Sequence, residues 1–136
     1  MEKVFKTDCG KIREHNEDSG GLFEKKDGSL LAIVADGMGG HRAGDVASAL
    51  ALDYMKDQWE AETKIRSSKE AVDWLKKTIS LTNDHVRAYS REHPECSGMG
   101  TTVVAALCTP DFAVVAHVGD SRGYLLHESD LRQVTN

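Results

Sequence analysis

Two segments with helical periodicity stand in tandem between segments patterned as strands, and that order leaves few folds open. Over residues 45–59, Ala47, Ala51 and Met55 share one helical face, with Val46, Leu50 and Tyr54 beside it. Ser67-x-x-Glu70 then reads as a capping box, which opens a second helix. That helix carries Val72, Leu75, Ile79, Val86 and Tyr89 at helical spacing. Ahead of the helices, residues 20–24 and 30–35 flank Lys25-Lys26-Asp27-Gly28, whose Asp-Gly pair signals a hairpin. Residues 2–8 read as a further short strand. Behind the helices, Pro94 breaks a loop over 91–100. Strands are then expected over 101–108, 112–118 and 123–127, with a last short one over 131–135. Pro110-Asp111 turns the first pair. Two successive helices between antiparallel strands predict an α+β layered domain, because the βαβ alternation of a doubly wound sheet is missing.

A chain of 136 residues is long enough for one domain with its own core. Its net charge of −5 argues against general binding to nucleic acid or to an anionic membrane. The opening Met1-Glu2-Lys3-Val4 has no signal-peptide apolar region, and no apolar run is long enough to span a bilayer, so a cytoplasmic protein is expected. Cys9, Cys96 and Cys108 are odd in number and lack CxxC spacing. They read as reduced thiols, not as a disulfide frame or a zinc site.

The chemistry is carried by acids next to apolar runs. Residues 30–35 form an apolar strand that delivers Asp36 into a glycine-rich turn, Gly37-Met38-Gly39-Gly40-His41. A strand that ends in a carboxylate and then loses its side chains can present a metal ligand at the rim of a sheet. The pattern recurs at Val118-Gly119-Asp120-Ser121-Arg122. A charged cluster, Arg13-Glu14-His15-Asn16-Glu17-Asp18, precedes the first hairpin. An arginine fork suits phosphate, and carboxylates suit magnesium or manganese. Taken singly, these are a solvated loop and two turns; taken together, three acids near strand ends in one small domain can converge on one edge. Gly39 to Gly44 has the outer spacing of a phosphate-binding loop but continues with Asp45 where lysine is needed, and it fails the GxGxxG pattern. His85, His93, His117 and His127, like His15, lack the spacing of a zinc site and read as surface or packing residues. Trp59 and Trp74 read as helix packing residues.

In order, Arg13-x-x-Asn16-Glu17-Asp18, Val34-Ala35-Asp36-Gly37-Met38-Gly39-Gly40-His41, Gly98-Met99-Gly100-Thr101-Thr102 and Val118-Gly119-Asp120-Ser121-Arg122 resemble the metal-dependent protein phosphatases of the PPM (PP2C) class in their bacterial form. The likeness runs through the whole chain. It implies a PP2C-like αββα fold, a layered β-sandwich flanked by helices, with a two-metal centre at one end. It implies two Mn2+ or Mg2+ ions, with a third, weaker one at Asp120. Asp36 would bridge the two metals and the Gly37 carbonyl would bind one of them, while Glu17 and Asp18 would ligate or orient the coordinated waters. Arg13 would hold the substrate phosphate, and His41 lies near where such enzymes use a histidine as general acid. Met38 stands where animal members have histidine. Gly98 to Thr102 would serve close backbone approach, not chemistry. Two cations about 3.5–4 Å apart activate water for in-line attack at phosphorus, with no phospho-enzyme.

The resemblance further implies that residues 1–136 are the N-terminal part of a single PPM-type domain. In the family the last strand leads into an Asp-His-Ser segment and a second half carrying two more aspartates. The expected function is hydrolysis of phosphoserine and phosphothreonine in proteins, reversing a PASTA-type serine/threonine kinase. This chain by itself would then have weak activity or none, and its open strand edges would lead it to dimerise or swap strands. The alternative is a catalytically silent PPM-like module that docks a partner.

Overall fold

The computed structural model describes residues 2–8, 18–40, 43–62 and 64–136. Strands β1 (Asp18–Glu24) and β2 (Leu30–Met38) form a hairpin; helices α1 (Ala43–Ala61) and α2 (Ser68–Glu92) follow. A 3-10 turn at Pro94–Cys96 leads into β3 (Gly100–Thr101), β4 (Val103–Cys108) and β5 (Ala113–Val118), and then β6 (Tyr124–His127) and β7 (Asp130–Gln133). The main sheet has the order β1-β2-β4-β5, with β3 paired to the end of β2, and every pairing is antiparallel. Among the described residues, strands β6 and β7 pair only with each other. The fold class is α+β, as the order of patterned segments predicts.

Alternation along the strands sends one face of the sheet to the helices. Leu31, Ile33, Ala35, Val103, Ala105 and Leu107 are buried on that face. Against them α1 lays Ala43, Ala47, Ala51, Met55 and Trp59, a stripe repeating every fourth residue. The small residues let the helix approach β2 closely, and the larger ones fill the far end. There the Trp59 indole donates to the Phe23 carbonyl at 3.1 Å and meets Trp74 edge-on at 5.6 Å. Helix α2 packs beside α1 and over β5, burying Ala71, Leu75, Thr78, Thr82 and Val86. The Thr82 hydroxyl donates to the Thr78 carbonyl, so this polar residue enters the core with its hydrogen bond made. The capping box forms. The Glu70 N–H donates to Ser67 Oγ at 3.1 Å, and the Glu70 carboxylate reaches back to the N–H of Arg66, one residue before the cap, at 2.7 Å.

Three sequence expectations change. Residues 2–8 form no strand. Strand β2 does not end at residue 35: it runs on through Asp36 and Gly37 to Met38, because β3 supplies a partner for this stretch. Asp36 therefore lies within a paired strand, and the turn begins after it. The strand expected over 101–108 is divided at Thr102, whose side chain takes over a backbone role described below. Elsewhere the expected helices and strands appear within a few residues of their predicted limits.

The opposite face of the sheet carries Ala32, Val34, Val104, Ala106 and Val115, with Asp18 and Asp36 toward one end. No helix covers it among the described residues, and Val34 is 48% exposed. The acids sit on this open face.

Candidate metal centre

The hairpin register places Asp18 directly opposite Asp36. Side chains of directly opposed residues share a face, with Cβ atoms roughly 4.5–5.5 Å apart, and like charges in that position repel. A divalent cation between two such carboxylates removes the repulsion, and hard oxygen ligands are what magnesium and manganese prefer.

One residue further along β2, Gly37 faces Thr101 and is buried. The peptide groups of Asp36 point toward Thr102, since the Asp36 carbonyl accepts from the Thr102 N–H at 2.9 Å. In an antiparallel ladder, successive residues turn their peptide groups to opposite sides. Those of Gly37 therefore point toward the β1 side, past Asp18. Two carboxylates and a peptide carbonyl thus gather at one corner of the sheet. This donor set suits a hard cation and contains no soft ligand.

Helix α1 fixes the corner from behind. Gly39 turns the chain out of β2 with φ +146, and a Cβ built there would lie 2.8 Å from Ala43 Cβ, so a side chain would block the entry to α1. Ser19, next to Asp18, meets buried Ser48 of α1 through their hydroxyls at 3.0 Å.

Asp120 lies on the connection from β5 to β6. Gly119, before it, has φ +95, and a Cβ there would stand 2.7 Å from Thr102 Cγ2. Ser121, after it, places its hydroxyl 2.5 Å from Thr102 Oγ1. Thr102 in turn accepts from the Asp36 N–H at 3.1 Å. The Asp36 and Asp120 segments are therefore joined through one threonine. The sequence reading gave Gly98 to Thr102 only a role in close backbone approach. The available signal was a hydroxyl residue after a glycine-rich turn, but its partners lie 66 and 19 residues away.

Arg13, Glu17 and His41 lie outside the described residues, as do His15 and Cys9. Among the described residues, no three His, Cys, Asp or Glu side chains converge on a common point, so Asp120 does not complete a trio with Asp18 and Asp36. His85 stacks on Tyr54 and His93 on Tyr89, while His117 Nε2 lies 2.8 Å from Asn136 Oδ1. Cys96 is buried, and burial pushes the Cys108 thiol up from its ordinary value.

A family profile described as "Protein phosphatase 2C" matches residues 10–136. The chain is 51% identical over 135 residues to a serine/threonine phosphatase of Listeria monocytogenes; the match covers 99% of this chain and 54% of that protein. A crystal structure of a bacterial serine phosphatase variant superposes with a TM-score of 0.94 at 42% identity, covering all of this chain and 61% of the other. The catalytic domain of the serine/threonine protein phosphatase PstP, solved in complex with two manganese ions, gives a TM-score of 0.78 at 35% identity over 96% of this chain and 53% of that one. The chain spans about half the length of the curated relatives it matches.

Proposed function

The chain belongs to the protein phosphatase 2C family, and from that premise we propose that it forms the N-terminal part of a single metal-dependent phosphatase domain acting on phosphoserine and phosphothreonine in proteins. The observation that carries this reading is the pairing of Asp18 with Asp36 across the hairpin, beside the Gly37 peptide. The relative solved with two manganese ions supports the choice of cation.

On this reading Asp36, Gly37 and Asp18, together with Glu17, hold two Mn2+ or Mg2+ ions, and Asp120 holds a third more weakly. When bound, the ions lower the pKa of water toward neutrality and offset charge on phosphoryl oxygens. The chain's own residues do the rest. Arg13 holds the substrate phosphate through its planar fork. His41 gives a proton to the departing serine or threonine oxygen. Thr102 fixes the Asp36 peptide, so the carboxylate is already aimed before substrate arrives.

The setting proposed is the cytoplasm, with a PASTA-type serine/threonine kinase as the opposing enzyme; among the described residues no helix is long and apolar enough to cross a membrane. A second reading is a silent module that docks a partner, given that the chain spans about half the length of the curated relatives it matches.

Hydrolysis of para-nitrophenyl phosphate separates the two. A protein joining this sequence to the remainder of the family domain should require Mn2+ or Mg2+ and resist okadaic-type inhibitors. It should lose about a hundredfold or more of its rate in Asp36→Asn. The 136-residue chain alone should turn over little substrate. Metal-independent hydrolysis, or an Asp36→Asn variant as fast as the parent, refutes the enzyme reading.

A further inference from the structure

Thr102 occupies the ladder position opposite Asp36, yet the ladder is not regular there. Its N–H donates to the Asp36 carbonyl at 2.9 Å, as a paired strand residue should. The return bond differs: the Asp36 N–H goes to Thr102 Oγ1 at 3.1 Å instead of the Thr102 carbonyl. That carbonyl accepts from the Thr101 hydroxyl at 2.8 Å. A side chain thus stands in for a backbone acceptor at the one strand residue that carries the central carboxylate.

The same side chain reaches the other acid. Its hydroxyl meets Ser121 on one side of Asp120, and its methyl packs under Gly119 on the other, too close to admit a Cβ. Thr102 is 3% exposed, so neither contact competes with bulk water. A β-branched residue has few rotamers, and here one rotamer satisfies both groups. Serine lacks the methyl and valine lacks the hydroxyl.

We propose that Thr102 is a positioning residue that sets Asp36 and Asp120 jointly, so that loss of its hydroxyl loosens both acids and weakens divalent-cation binding at the Asp36 corner. The cation part rests on the metal reading above; the mechanical part does not.

The test uses the 15N-labelled chain, with amide hydrogen exchange as one arm and Mn2+ titration as the other. In Thr102→Val, which keeps the shape and the methyl, exchange at Asp36 and at Asp120–Ser121 should rise about tenfold or more while Ile33 and Ala105 stay protected. Mn2+ affinity, read from paramagnetic broadening at Gly37, should fall about tenfold. Thr102→Ser should keep the Asp36 amide protected and restore most of the affinity. Ser121→Ala should loosen the Asp120 segment alone. The inference is overturned if Thr102→Val frees only one of the two acids, or binds Mn2+ as the unsubstituted chain does. If the unsubstituted chain takes up no Mn2+, the metal reading fails and the cation part of the inference with it. The exchange arm then still decides whether Thr102 couples the acids.

Discussion

Asp36 shows how much one residue's placement depends on its neighbours. Its carboxylate stands on the open face of the sheet, while both of its peptide groups are bonded to Thr102, the N–H to the hydroxyl and the carbonyl to the N–H. The identity of the acid was legible from the apolar run that ends there. Its partner Asp18 was legible only as a member of a charged cluster, because which of several acids faces Asp36 depends on hairpin register. That register follows from the Lys25-to-Ser29 turn. There the Lys25 N–H donates to the Ser29 carbonyl and the Asp27 carboxylate accepts from both the N–H and hydroxyl of Ser29, at 2.9 and 2.6 Å. The Ser29 hydroxyl bond, then the Ser29 backbone bond, holds the Asp27 carboxyl below its ordinary value of 3.8. A depressed folded-state pKa contributes stability that is present above the unfolded value and lost as pH falls through the folded one. Stability of the parent should therefore drop more than that of Asp27→Asn as pH is lowered below about 4, as urea melts at several pH values will show. Gly119→Ala places a side chain at φ +95 against Thr102. It should cost about 1–3 kcal/mol in the same melts.

The elements whose periodicity was strong were read well, and the misreadings cluster where tertiary contacts decide. Helix α2 announces itself through Ser67 and Glu70, and Ser67→Ala should lower stability by about 1 kcal/mol in thermal or urea unfolding. Strand β2 was expected to stop at Ala35, since Asp-Gly normally ends a strand. It continues because the glycines of residues 98–100 bring β3 alongside, a pairing across more than sixty residues that no local pattern contains. The division of the strand at Thr102 is hidden for the same reason. Residues 2–8 read as a short strand but take no place in the sheet.

In the whole molecule, helices cover one face of the main sheet, and the other carries Val34, Val104, Ala106 and Val115 with no helix over it among the described residues. The β6–β7 hairpin adds Leu125, Leu126 and Leu131, which are 49%, 67% and 63% exposed. Among the described residues, strand β5 has β4 on one side and no strand on the other. Such a face and edge favour association, and a second copy of this chain is the partner proposed for them. Sedimentation velocity should show a dimer whose dissociation constant rises about tenfold or more in Leu126→Lys; a monomer at all concentrations contradicts this. Composition and segment order made the α+β class legible, and four ordered motifs made the family legible. The open face was not legible, because which face of a sheet stays uncovered is decided by tertiary packing.

The central claim is that Asp36 anchors a divalent-cation site at the corner of the sheet. Calorimetric titration of Mn2+ into the chain and into Asp36→Asn, with both shown folded by circular dichroism, tests it directly. The account predicts saturable binding to the parent that weakens about tenfold or more in the variant. Equal binding by the two, or no binding by the parent, would contradict it.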